Sequence, residues 1–255
     1  MAVYDYGRTP DGVFYYAMEY LDGTDLARLV KQFGAIEPSR TIFIIRQVLS
    51  SLTEAHEIGL IHRDIKPANV VLTERGGECD VAKVVDFGLV KDLERSDGAA
   101  LTAAESISGT PLYMAPEAIS APDTVGPAAD LYAVAALAYF LVTGTHLFHG
   151  ATVMEVCAHH LHTEPEPPSA RLGKPIPSSL ESVIVRGLAK DPGDRFESAR
   201  AFREELERVA DIAPWNQGDA KRWWEQHVGG PMRLPWRQRA LPRVCGVPAV
   251  AFVGA

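Results

Sequence analysis

Within nine residues, Ile61 to Asn69, the chain places Asp64, Lys66 and Asn69 between two apolar runs. Asp86 lies seventeen residues beyond Asn69 and opens Asp86-Phe87-Gly88, behind the apolar run Val81 to Val85. A carboxylate can accept the proton of an attacking hydroxyl, and a lysine beside it can neutralise a transferred anion. An amide oxygen and a second carboxylate are hard ligands suited to Mg²⁺. An oriented hydroxyl, neutralised phosphate charge and a held metal are what phosphoryl transfer asks of a protein. Singly, each residue has a plainer explanation; a turn-forming Asp64, however, leaves Lys66 and Asn69 at their fixed offsets unexplained.

The flanking sequence predicts the elements that must hold these groups. Val3 to Tyr6 and Val13 to Tyr20 read as strands around Gly7, Pro10, Asp11 and Gly12, a hairpin signal. Thr24 or Asp25 is placed to cap a short helix that runs through Phe33 and ends at Gly34. A longer helix is expected from Pro38, with Ile42, Ile45, Val48, Leu49, Leu52 and Ala55 at helical spacing and Gly59 at its end. Val70 to Leu72 and Val81 to Val85 read as a second hairpin around Gly76-Gly77. Residues 89 to 110 are polar and rich in Ser and Thr, which predicts a loop. From Ala128 to Val142 the sequence is apolar after Asp130, which predicts a helix buried on every side. Amphipathic helices are expected at 151–161, 178–189 and 198–210, the first two separated by a Pro-rich linker at 164–177.

Composition narrows the function classes. A chain of 255 residues with 47% hydrophobic content can bury a full core. A formal charge of −8 offers no basic surface for nucleic acid. Cys79, Cys157 and Cys245 are widely spaced and odd in number, which points to reduced thiols in a cytoplasmic protein. No stretch approaches the roughly 20 apolar residues of a membrane span, and residues 1 to 20 carry no signal-peptide pattern. Beyond Asp211 the composition shifts: Trp215, Trp223, Trp224 and Trp236 are the only tryptophans, basic residues gather between Lys221 and Arg243, and the end is small and apolar. A disordered or loosely docked tail is the expectation for 212–255, with the start of a membrane segment or out-of-frame sequence as alternatives.

His62-Arg63-Asp64, Lys66 and Asn69, followed by Asp86-Phe87-Gly88, resemble the catalytic and metal-binding loops of eukaryotic-type (Hanks-type) serine/threonine protein kinases. Gly109-Thr110-Pro111-Leu112-Tyr113-Met114-Ala115-Pro116-Glu117 resembles the end of their activation segment. The many Ala and Arg around these motifs resemble the bacterial members, which act in signalling and often continue into a membrane anchor and a sensor domain. The resemblance implies an α+β kinase-like fold, mainly the helical large lobe with a residual N-terminal hairpin and hinge. It covers 1–211 as a partial kinase domain and leaves 212–255 as tail or linker.

The resemblance also implies roles. Asp64 would accept the substrate hydroxyl proton, Lys66 would contact the transferred phosphate, and Asn69 and Asp86 would hold Mg²⁺. Thr110 would bond Asp64 and Lys66 and go with Ser/Thr acceptors on protein substrates, and Leu112 to Met114 would line the pocket for the residue after the acceptor. Met18 to Gly23 resembles the ATP hinge, with Met18 as gatekeeper. There the Glu19 carbonyl and the Leu21 N–H would face adenine, Asp25 the ribose, and Val71 the underside of the ring. Asp130 would anchor the catalytic loop backbone, and Arg195 would pair with Glu117. Arg63 would pair with a phosphate on the activation loop. Thr102, Ser106 and Ser108 are candidates for it, although any one of them is more simply a solvated loop residue.

The family's Gly-rich loop, strand lysine and helix glutamate have no match here. No G-x-G-x-x-G occurs, and the only lysine before Lys66 is Lys31, in a helical pattern. Two readings follow: a kinase whose N-terminal lobe is missing from this sequence, or a pseudokinase serving as a binding module. Retention of Asp64, Lys66, Asn69 and Asp86 favours the first. The 255-residue chain alone is expected to phosphorylate a generic protein acceptor weakly or not at all; robust transfer in a radiolabelled-ATP assay would show that its phosphate clamp is complete.

Overall fold

Fifteen consecutive residues, Ala129 to Thr143, are buried, in a helix that spans Pro127–Thr143. Pro127 opens this helix, where a missing N–H costs nothing, and Gly144 closes it in the left-handed conformation (φ 73°) with its N–H on the Phe140 carbonyl. A helix apolar on all faces must be surrounded, and several of the other described helices pack against it. The computed structural model describes residues 3–8, 14–87 and 111–228. Gly88, the expected loop at 89–110 with Thr102, Ser106 and Ser108, and Gly109, Thr110, Trp236 and Cys245 lie outside the described residues.

In chain order the elements are β1 (Val3–Arg8), β2 (Phe14–Met18), β3 (Gly23–Asp25), α1 (Leu26–Phe33), α2 (Pro38–Glu57), β4 (Val70–Arg75), β5 (Glu78–Val84), α3 (Pro116–Ser120), α4 (Pro127–Thr143), α5 (Val153–His162), α6 (Pro168–Leu172), α7 (Ser178–Gly187), α8 (Ala199–Glu207) and α9 (Gln217–Val228). β1 and β2 form an antiparallel pair with Tyr6 opposite Tyr16, as the hairpin signal predicts. β3, β4 and β5 form a second antiparallel sheet in that order, with β5 at its edge. β4 and β5 are joined across Gly76 and Gly77, both at positive φ, the backbone a two-residue hairpin turn requires. The result is the α+β architecture expected, helices dominating.

Helix α2 crosses α4 and carries Ile44, Ile45, Val48, Leu49 and Leu52 fully buried. Ile44, not Ile42, lies on the buried face; Ile42 is half-exposed. Helix α7 approaches α4 closely at Gly187, where an added Cβ would stand 2.6 Å from the Ala135 Cβ. No larger residue fits that crossing without moving a helix.

Two expectations are corrected. The Pro-rich linker at 164–177 contains the short helix α6, started by Pro168 and stopped by Gly173 at φ 62°. Residues 217–228, expected in a disordered or loose tail, form α9 and dock tightly, with Trp224 and Ala220 at 0% exposure. Cys79 and Cys157 are free, buried thiols.

The core also encloses polar groups. His160 of α5 is fully buried, and its Nδ1 accepts the Tyr132 hydroxyl at 2.8 Å. Burial, helped by Lys190 nearby, pushes the His160 pKa down to about 4. Its unfolded value lies near 6.5. The unfolded chain therefore takes up a proton that the folded chain refuses, and stability is lost as pH falls from 6.5 towards 4. Denaturant titrations should show this loss, up to about 3 kcal/mol from this group. His160→Gln should flatten the wild-type slope over that window; identical slopes would show that His160 does not contribute.

Candidate active site

The loop between α2 and β4 is shaped by one carboxylate from α4. Asp130, 1% exposed, accepts the backbone N–H of His62 on Oδ2 and of Arg63 on Oδ1, both at 2.8 Å. His56, near the end of α2, reaches the same Oδ2 with its Nε2 at 2.8 Å. Arg63 adopts φ +63°, a left-handed conformation costly for a side chain of its size. Such strain costs roughly 1–3 kcal/mol. Two hydrogen bonds to a buried carboxylate, about 1.5–3 kcal/mol each, offset it.

His62 carries the constraint onward. It is fully buried, and burial holds its pKa below the ordinary histidine value against the opposing charges of Asp130, Asp64 and Asp86. The neutral ring donates from Nε2 to the Val85 carbonyl at 3.0 Å. Nδ1 is then the acceptor for the Asp64 N–H at 3.3 Å. One ring therefore ties the backbone of Asp64 to the residue before Asp86. Phe87 packs on that ring, centroids 4.5 Å apart.

Asp64, Lys66 and Asn69 come together. The Lys66 ammonium donates to Asp64 Oδ2 at 2.7 Å. The Asn69 Nδ2 donates to the same oxygen and to the Asp64 carbonyl, both at 2.9 Å. Among the described residues, both side-chain donors to this carboxylate fall on Oδ2. The Asp64 and Lys66 side chains are 40% and 38% exposed, so a substrate can reach them. With Nδ2 committed, Asn69 Oδ1 is the atom it can offer to a cation. The single helical turn Pro67–Asn69 starts the β4 strand, and the Asn69 carbonyl accepts the Val85 N–H at 2.9 Å. That bond brings the exposed Asp86, φ +58°, beside the loop. Among the described residues no three His, Cys, Asp or Glu side chains cluster as a ready-made metal cage. One amide and one carboxylate oxygen suit Mg²⁺, which keeps waters and substrate phosphates as its other ligands.

The hinge-side residues stand on β2, on β3 and on the connection between them. Met18 ends β2, 40% exposed, and Glu19 and Leu21 follow in the connection to β3, half-buried. The Glu19 carboxylate pairs with Arg75 at the end of β4. Asp25 caps α1, accepting the Arg28 N–H at 2.8 Å, and stands opposite Val71 in the β3–β4 register. Thr110 falls outside the described residues.

Downstream, Arg195 and Glu117 meet through two hydrogen bonds of 2.6 and 2.8 Å, with the Arg195 side chain fully buried. Arg195 also donates to the carbonyls of Ala128, Ala189 and Lys190, so the start of α4 and the turn after α7 are fixed together. Tyr113, 9% exposed, packs on Phe140 and places its hydroxyl 3.0 Å from His146 Nδ1. Leu112 and Met114 beside it are half-buried.

Sequence reasoning missed the connecting groups: His56, the ring contacts of His62, and the buried pair Arg40–Asp80. Arg40 binds Asp80 through Nε at 2.8 Å and Nη2 at 2.7 Å, with both side chains almost wholly buried. A signal was present, since Arg40 sits four residues before Ile44 on the apolar face of α2 and Asp80 interrupts an apolar strand.

A family model described as protein kinase domain matches residues 2–206. The chain is 40% identical over 211 residues to the serine/threonine-protein kinase pkn3 of Myxococcus xanthus, covering 82% of this chain and 38% of that protein. It is 36% identical over 229 residues to the serine/threonine-protein kinase PknB of Mycolicibacterium smegmatis, covering 87% and 36%. The chain thus spans less than two fifths of the length of these curated relatives. The crystal structure of the Mycobacterium tuberculosis PknI kinase domain superposes with a TM-score of 0.60 at 31% identity, over 82% of this chain and 71% of that one. The Rad53 kinase domain and SCD2 in complex with AMPPNP matches at a TM-score of 0.63 and 23% identity, over 86% and 76%, a likeness of fold alone. By its motifs, its fold and a family match over most of its length, the chain belongs to the protein kinase domain family, among the bacterial Hanks-type serine/threonine kinases.

Proposed function

We propose that these residues carry ATP-dependent transfer of a phosphoryl group to Ser or Thr hydroxyls of protein substrates. The observation that supports this most is the joint placement of Asp64, Lys66 and Asn69 on one loop, with Asp86 tied to it through His62 and Asn69. In this reading Asp64 Oδ1 accepts the proton of the acceptor hydroxyl as the new O–P bond forms. Lys66, already on Asp64 Oδ2, holds that carboxylate in orientation and presents its positive charge where the transferred group passes. Mg²⁺, the family's metal, supplies neutralisation of the phosphate oxygens when bound. Asn69 Oδ1 and the Asp86 carboxylate are the atoms that would hold it. The Glu19 carbonyl and Leu21 N–H would bind adenine, Asp25 the ribose, and Val71 would close the pocket from below. Thr110 would bridge Asp64 and Lys66 and favour hydroxyl acceptors.

Retention of Asp64, Lys66, Asn69 and Asp86 gives this reading more support than that of a kinase-like binding module. No described helix is long and apolar enough to cross a membrane.

The test is transfer from radiolabelled ATP to a protein acceptor by the chain expressed in its full native reading frame. Asp64→Asn should lower kcat by about 10²–10⁴, the range for losing a positioned base, while nucleotide affinity stays close to that of the parent. Asp86→Asn should instead raise the Mg²⁺ concentration needed for half-maximal rate. Unchanged kcat in Asp64→Asn would remove Asp64 from its assigned role.

A further inference from the structure

Among the described residues, strand β5 is the edge of its sheet, so one side of it has no partner strand. Side chains from α2 and α9 take its outer groups instead. Gln47 donates to the Asp80 carbonyl at 2.9 Å and accepts the Ala82 N–H at 3.0 Å. Gln217, the first residue of α9, accepts the Cys79 N–H at 2.9 Å. At Asp80 the backbone turns left-handed, φ +54°. The Asp80 carboxylate is fully buried and receives four donors: Arg40 Nε and Nη2, the Trp224 indole at 2.8 Å and the Trp215 indole at 3.2 Å. The Arg40 guanidinium lies 3.9 Å from the centroid of the Trp223 ring. These tryptophans all stand beyond residue 206, where the family match ends.

The other end of the strand leads to the site. Val84 pairs with Val70, the Val85 N–H binds the Asn69 carbonyl, and Asp86 follows at φ +58°. Two left-handed aspartates, Asp80 within β5 and Asp86 just after it, therefore bracket residues 81–85. Such backbone persists only where its surroundings over-determine it. The site fixes the Asp86 end, and α9 together with Arg40 fixes the Asp80 end.

We propose that Trp224, assisted by Trp215, is a positioning residue for the phosphoryl-transfer site. By closing the Asp80 carboxylate it pins β5, and so the backbone that presents Asp86. Removing the two indole N–H groups leaves the buried carboxylate with the Arg40 donors alone, and the strand then shifts or frays from its Asp80 end. The inference rests on the reading of Asp86 as a Mg²⁺-side carboxylate.

The test compares the purified chain with Trp224→Phe, which keeps an aromatic ring but removes the donor, and with Trp215→Phe/Trp224→Phe. Amide hydrogen exchange is followed over 79–82, over 84–87 and, as reference, over α7. The Mg²⁺ dependence of binding a fluorescent ATP analogue is measured alongside. Exchange over 84–87 should accelerate roughly tenfold, about what losing one bond to a charged group gives, with α7 unchanged. Half-saturating Mg²⁺ should rise while affinity at saturating Mg²⁺ stays near wild type. Faster exchange confined to α9 and 79–82, with 84–87 and the Mg²⁺ dependence at wild-type values, would overturn the proposal and leave α9 a docked helix only. If Trp224→Phe does not fold, Gln217→Ala, which removes a single peripheral bond to β5, is read by the same criteria. Asp86→Asn separates the two readings. If it leaves the Mg²⁺ dependence unaltered, the assignment of Asp86 fails, while the exchange data still decide whether Trp224 acts on 84–87.

Discussion

A single ionised side chain in an otherwise apolar helix sets the geometry of this molecule. Asp130 lies in the first turns of α4 and is 1% exposed. An isolated carboxylate there would be too costly to bury. It is tolerated because His62, Arg63 and His56 all direct N–H donors at it and because the N-terminal end of a helix favours negative charge. The need to satisfy that carboxylate and the strain at Arg63 solve one another. The loop adopts a backbone it would not choose alone, and the helix keeps a charge it could not otherwise hold.

From that point the arrangement spreads by hydrogen bonds rather than by apolar packing. Asp130 fixes His62, His62 fixes the Asp64 N–H and the Val85 carbonyl, and Asn69 fixes Asp64 and the Val85 N–H. Each link is short, and the backbone groups involved belong to two different stretches of chain. The apolar core around α4 supplies the stiffness that makes such links hold position. Arg195 and Glu117 do similar work at the far end, joining the start of α4 to the turn after α7.

Elements with a period were legible from sequence: the hairpin at Gly76-Gly77, the long α2 and the wholly apolar α4 were anticipated with small errors at their ends. The core residues of the site were legible because Asp64, Lys66, Asn69 and Asp86 sit at fixed offsets in a short loop and just after a strand. What escaped was of another kind. Arg40 and Asp80 are charges at core positions, and a charge in an amphipathic pattern is ordinarily read as facing water until its partner forty residues away is seen. Helix α6 hid in a Pro-rich stretch, since proline both breaks helices and begins them. Helix α9 was masked by a change in composition: three of its first eight residues are charged, and its tryptophans find their partners on β5 and α2 rather than near in sequence.

That separation has a consequence for how the chain is made. Trp224 follows Asp80 by 144 residues. A ribosome adding residues at 5–20 per second leaves an interval of roughly 7–30 s between the two. Throughout it, Arg40 and Asp80 can already meet, but their indole cover does not yet exist. The edge of β5 is open to other strands for the same interval. The nascent chain thus passes through a stage in which its sheet is formed and unguarded, and the docking of α9 ends it.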